Sequence, residues 1–210
     1  MKWMILDLSS APLPDAERYL DGTVRAHGGI KDPEKIAADI AKKQADRLEM
    51  AALDIDLARI TGYGALTADM PEPLVTLCED EEGERAALMD LAQLLKDSPS
   101  LITYNGFAFD LPLAMRRARY LSVKFPWLNL DRYRSEHRDL CEDLCDRNPQ
   151  RRRSLSFYVK RLGMTDISKT LSGAEEAQVP VTGQWEALRE SLRHDVTATY
   201  RIAKWLGVIS

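Results

Sequence analysis

The chain has little of what would place it outside a reducing compartment. Its 210 residues include three cysteines, Cys78, Cys141 and Cys145. So few, and an odd number, argue against a disulfide framework and for cytoplasmic surroundings. No apolar run approaches the roughly 20 residues that cross a bilayer, so no membrane partner is expected. The first residues form one short apolar run, without the long h-region or small-residue cleavage site of a signal peptide. Strong charge of either sign is also missing. A net charge of -4 excludes wholesale coating of nucleic acid but leaves room for a local basic groove. There is no internal repeat and no low-complexity linker, so a single domain over residues 1–210 is expected. The glycines of "LDGTVRAHGGIK" lack the strand–loop–helix setting of a phosphate-binding loop.

What is present can bury a full core, with 45% hydrophobic and 30% charged residues. "WMILDLSSAP" opens as a strand over 3–8 that stops at one acid, Asp7. Residues 11–32 hold Pro12, Pro14, Gly22, Gly28 and Gly29 and read as a long irregular connection. A helix follows over 32–53, with Asp32 as N-cap and Pro33 in the first turn. Strands are expected at 58–66 and 73–79, and a helix at 82–96 that ends before Ser98 and Pro99. A buried strand at 100–105 leads to a helix at 110–121. A short helix at 155–163 is closed by Gly163, and a last one runs from about 185 to 206. This order predicts an α/β or α+β domain in which an antiparallel meander leads into a parallel strand, with helices on both faces of a central sheet.

Three acids sit at element ends: Asp7 after the first strand, Asp110 in "YNGFAFD" at the mouth of a helix, and Asp195 in "LRHDVTATYRIAKWL". Taken alone, Asp110 reads as a helix cap and Asp7 as a turn residue. Asp195 borders the stripe Val196, Thr199, Ile202 and Ala203, and an acid beside a core-facing stripe needs a partner or a metal. Together, carboxylates from a strand end, a loop–helix junction and a helix can share divalent cations such as Mg²⁺ or Mn²⁺. Two such ions can clamp both oxygens of a phosphodiester displacement.

"NGFAFDLPLAMRRARY", with Asn105, Phe109 and Asp110, resembles the second motif of the DEDD 3'–5' exonucleases of the ribonuclease H-like superfamily. "HDVTATYRIAKWL" resembles their third motif and "ILDLSSAPLP" their first. The segments "IKDPEKIAADIAKKQADRLEMAALDIDLARITGYG" and "RDLCEDLCDRNPQRRRSLSFYVKRLGM" resemble the branch related to the proofreading domain of family-B DNA polymerases. The resemblance implies a ribonuclease H-like α/β fold with a mixed sheet. It also implies a metal-dependent 3'–5' exonuclease acting on DNA, favouring single-stranded 3' ends, with replication or repair proteins as partners. Asp7 would bridge two Mg²⁺ or Mn²⁺ ions, Asp195 would hold the first and Asp110 the second, often through water.

The chain departs from the family pattern twice. Ser9 stands where a fourth acid, a glutamate, is usual, and a neutral hydroxyl is a weak ligand for a hard cation. Ser191 stands four residues before Asp195, where one subgroup has a water-positioning tyrosine; Glu190 stands where the other subgroup has histidine. Glu190 is therefore the candidate replacement ligand. His194 is one helical step, about 100°, from Asp195 and is not assigned as a general base. These losses keep open a second reading, a catalytically degenerate module that holds nucleic acid or a replication partner.

Basic residues Arg116, Arg117 and Arg119, and then Arg151, Arg152, Arg153, Lys160 and Arg161 around Phe157 and Tyr158, suit phosphate tracking with aromatic stacking. With the resemblance, Arg151, Arg152 and Arg153 are expected on a loop facing the nucleic acid, alongside Asn105 and Phe109. His137, Cys141 and Cys145 recur at four-residue steps but offer zinc no fourth ligand, and are read as buried small residues.

Overall fold

The computed structural model describes residues 2–20, 22–96, 100–131, 133–164 and 166–209. The spine of the fold is β1 (Trp3–Pro12), the central strand of a five-stranded mixed sheet of order β3-β2-β1-β4-β5. On one side β1 pairs antiparallel with β2 (Ala58–Thr67), which pairs antiparallel with β3 (Leu74–Leu77). On the other side β1 runs parallel to β4 (Ser100–Thr103), and β4 to the two-residue β5 (Arg138–Asp139). The meander and the parallel strand are those the sequence predicts.

Strand alternation assigns the two faces. Met4, Leu6 and Leu8 turn to one face, into a core with Leu88 and Leu91 of α3 (Glu81–Lys96) and Leu111 and Ala114 of α4 (Asp110–Tyr120). Ile5 turns to the other, with Leu66, Ile102, Val196 and Ile202. That face is covered by α8 (Trp185–Trp205), helped by α5 (Leu140–Leu144) and α6 (Leu155–Arg161). Gly163 ends α6 at φ 69°, as expected of a left-handed C-terminal position.

Several boundaries differ from the sequence reading, each for a long-range reason. β1 does not stop at residue 8: β2 pairs with it from Met4–Thr67 to Pro12–Ala58, across a bulge at Ser9/Ser10. Asp7 is thus within a strand and not at its end. The connection expected to be irregular over 11–32 contains the end of β1 and α1 (Ala16–Leu20), which closes a small apolar cluster with Val24, Ala51 and Leu57. The helix α2 (Pro33–Glu49) starts as predicted, with the Asp32 carboxylate accepting from the Glu34 and Lys35 N–H groups, but gives way to a 3₁₀ turn at Ala51–Leu53. The expected strand to 105 ends at Thr103. The stop signal at Ser98 and Pro99 lies outside the described residues. β5, α5 and α7 (Gly173–Thr182) have no counterpart in the sequence reading.

The two helices on the α3/α4 face are tied by a buried ion pair. Arg117 donates through Nε and Nη2 to the two oxygens of Glu84, each at 2.7 Å, and Glu84 Oε1 also accepts the Ile60 N–H at 2.8 Å. The Glu84 side chain is fully buried. Arg117, considered from sequence for phosphate tracking, is thus a structural residue. A fork-to-fork pair of this kind satisfies both partners, and removing one leaves a buried charge alone. Arg117→Met is expected to destabilise the chain by about 3–5 kcal/mol, measured as a lower urea midpoint at unchanged slope.

Candidate active site

β4 pairs with β1 only from Trp3 to Ile5, so the next stretch of β1 has a free flank on that side. Leu8 carries an N–H there that no strand accepts. Asp110 Oδ1 accepts it, at 2.9 Å. Asp110 is the first residue of α4, after Phe109 at the N-cap position, whose side chain makes no cap bond. The Asp110 carboxylate thus reaches the sheet while its own backbone N–H at the helix start also lies against it, so it serves as more than a cap. The loop between β4 and α4 is held by Asp139, whose oxygens accept the Asn105 N–H at 2.8 Å, the Phe107 N–H at 3.0 Å and the Cys141 N–H at 3.0 Å.

Asp7 lies opposite Gly64 in the β1/β2 ladder, and directly paired residues share a face. That face is the one under α8. A Cβ on Gly64 would lie 2.6 Å from Val196 Cγ2, and one on Gly62 would lie 2.8 Å from the Thr76 carbonyl and 3.0 Å from Leu192. The missing side chains let α8 lie close to the sheet, which is how Asp195, on the helix face that carries Leu192, Val196 and Thr199, comes near Asp7.

Asp7, Asp110 and Asp195 line one cleft of about 930 Å³, with Ser9, Tyr104, Asn105, Phe109, Arg152 and Arg153. Met50 and Leu53, exposed apolar side chains after α2, form part of its wall. Arg151 does not line it; this residue is exposed and pairs with Asp146. Arg152 reaches the cleft but is paired with Glu142. The Tyr104 hydroxyl donates to the Arg153 carbonyl at 2.5 Å, which pins the arginine loop to the end of β4.

The carboxylates repel one another. Burial raises Asp7 well above the usual carboxylate range, and the charges of Asp195 and Asp110 raise it further. Burial pushes Asp110 up to about 7, against the opposing Leu8 hydrogen bond. No described lysine, arginine or histidine forms an ion pair with either. Among the described residues no three His, Cys, Asp or Glu side chains converge closely enough to hold a metal ion as they stand.

Two residues of the site have no motif in the sequence. Lys169, in the segment before α7, places Nζ 2.5 Å from Asp195 Oδ2 and 3.0 Å from Glu176 Oε1. Burial alone would lower this amine, but Asp195 and Glu176 outweigh it and raise it. Glu176, on α7, also accepts from the Ser191 hydroxyl at 2.6 Å. Ser9, fully under cover, accepts weakly from Thr61 at 3.2 Å. Glu190, the replacement ligand considered from sequence, is instead 54% exposed and paired with Arg193. His194 does reach its neighbour, with Nδ1 3.1 Å from Asp195 Oδ1, because a side chain one step along the helix can bend back within hydrogen-bond range. The signal for α7 was the capping box Ser172-x-x-Glu175, which the structure contains; Gly173 and Pro180 masked it. Cys141 and Cys145 are buried, as read from sequence, whereas His137 precedes β5 and accepts the Leu101 N–H at 3.1 Å.

A mixed sheet of this order, with helices on both faces and acids gathered beside its central strand, is the ribonuclease H-like α/β fold. Residues 57–207 match the family described as predicted 3'-5' exonuclease related to the exonuclease domain of PolB, and the chain belongs to that family. The matched stretch includes Asp110 and Asp195 and leaves out Asp7 and Ser9. The fold is similar to the family B DNA polymerase from the hyperthermophilic archaeon Pyrobaculum calidifontis, with a TM-score of 0.65 and 15% identity over 98% of this chain. The chain spans only 24% of that polymerase's length. No curated protein sequence matches the chain. No helix among the described residues is long and apolar enough to cross a membrane.

Two outcomes follow from this geometry. Gly64→Ala is expected to cost about 1–3 kcal/mol by overpacking and to move Asp195 from Asp7; a melting curve and a crystal structure of the variant check both. Asp110 binds its proton more tightly folded than unfolded. Its contribution is therefore most favourable below the unfolded value and is lost as pH rises through about 7. Asp110→Asn keeps an oxygen for the Leu8 N–H, so the variant should melt higher than the parent at pH 8. That gain should vanish by about pH 4, as thermal melts across pH will show.

Proposed function

We propose that the chain is a metal-dependent 3'–5' exonuclease that hydrolyses terminal phosphodiester bonds of DNA, favouring single-stranded 3' ends. The observation that carries this reading is the meeting of Asp7, Asp110 and Asp195, from a strand and two helices, in one cleft. Family membership supports the reaction class. The donor set suits Mg²⁺ or Mn²⁺: it is all oxygen, and burial and mutual repulsion have raised Asp7 and Asp110 with no described cation paired to them. Asp7 and Asp110, with Asp195, would hold the metal, which when bound would lower the pKa of water and neutralise phosphate charge. The chain's own groups would do the rest. Met50, Leu53 and Phe109 offer apolar surface to the terminal bases, while Arg152 and Arg153 offer positive charge to the backbone. Lys169 offers an ammonium beside the acids.

A second reading, a degenerate module that binds nucleic acid or a replication partner without cutting, is favoured by two observations: Ser9 contributes no charge and Asp195 is already paired. A nuclease assay separates the two. With 5'-labelled single-stranded DNA, a 3'-end ladder is expected in Mg²⁺ or Mn²⁺ and not in EDTA. Asp110→Ala should slow it by roughly 10²–10³ or more. A silent parent that Ser9→Glu revives would identify a silenced nuclease. Silence from both, with DNA still retained on the protein, would establish the binding module.

A further inference from the structure

We infer that Lys169, held by Glu176 and Asp195, takes the place of one of two cations, so that the cleft accepts a single divalent ion beside Asp7 and Asp110. The inference rests on the exonuclease reading above for the identity of the cleft. It does not need turnover to be tested.

Besides Glu49 at its rim, four carboxylates line this cleft, and they divide into two pairs by their partners. Asp195 and Glu176 share the Lys169 ammonium, at 2.5 and 3.0 Å. Asp7 and Asp110 have no described cation on them. The pairing of Lys169 is built rather than incidental. Its Nζ is mostly covered, with the side chain 25% exposed, and both acids on it are more buried still. Glu176 is fixed in turn by the Ser191 hydroxyl at 2.6 Å, and Ser191 is fully buried under α7. The two serines thus belong to one arrangement. Ser9 withdraws a negative charge from the side of the cleft where Lys169 adds a positive one, and Ser191 leaves room for the glutamate that holds the lysine.

A divalent ion at Asp195 would have to displace this ammonium. It would then meet one carboxylate already neutralised, a serine that supplies no charge, and a nearby fixed positive charge. Hard divalent ions need anionic oxygen donors in number, and the two carboxylates in that half of the cleft are already engaged by the ammonium. The other half differs: two carboxylates lie near one another with no described ion pair of their own, Lys169 acting on Asp7 only from a distance, and a single ion would relieve them. The ammonium has three donors. Two are used by the acids, which leaves one for a non-bridging phosphate oxygen of a bound strand end.

The test is metal stoichiometry on the full chain, without substrate. Mn²⁺ is titrated into metal-stripped protein by calorimetry, and the bound ions are examined by electron paramagnetic resonance. The parent should bind one Mn²⁺ with the spectrum of an isolated ion. Lys169→Met with Ser9→Glu, which removes the ammonium and restores an acid, should bind two, with the broadened spectrum of neighbouring ions. Two ions on the parent would overturn the inference and leave the exonuclease reading intact, as would one ion on both proteins where circular dichroism shows the variant folded. If the variant does not fold, the parent's count decides alone. No ion on the parent would overturn this inference and the metal-dependent reading together. One ion on a parent that cuts no DNA would uphold the inference and leave only the binding module.

Discussion

The site depends on a single hydrogen bond, from the Leu8 N–H to Asp110. β1 outruns β4 on one side, and a strand flank without a neighbour leaves N–H groups that must be satisfied. Asp110 meets that need from the start of α4. The same bond sets α4 against the sheet, and so the Arg117–Glu84 pair two turns further along its buried face, and brings the Asp110 carboxylate within Coulombic reach of Asp195 and Asp7.

The second constraint is steric. Asp195 approaches Asp7 because β2 carries glycine at 62 and 64, directly under Leu192 and Val196. Helix packing distances depend on the side chains at the contact, and here two successive positions on one face of the strand have none. The same strand thus serves as ladder partner for β1 and as a shallow bed for α8. Function and packing are not separable at this point of the fold.

The electrostatics follow from these two contacts. Acids brought together out of water resist ionising, as Asp7 and Asp110 do. Such a cluster costs stability and is sustained by the rest of the fold, a cost that a cation can offset. The cleft offsets part of it internally through Lys169, which lowers Asp7 as well as pairing with Asp195 and Glu176. Family membership alone would have directed attention to the acids; the lysine and glutamate between them set the character of this particular chain.

Sequence by itself determined what local patterns and short motifs encode. The long helices α2, α3, α4 and α8 were legible from apolar periodicity and from Asp32 as a cap, β2 to β4 from short apolar runs, and Asp7, Asp110 and Asp195 from their motifs. Tertiary structure alone decided the remainder. A two-residue strand such as β5 has no period to read, and it exists because β4 offers it a partner. β1 continues past Leu8 because β2 pairs along its whole length. Lys169 and Glu176 stand on a segment broken by Gly173 and Pro180, 26 and 19 residues before Asp195 in the chain, and become its neighbours only when α7 folds over β1 and α8. Periodicity reports which face of an element is buried, and motifs report residues at fixed spacing. Neither carries the long-range register that decides which charge comes to rest beside which.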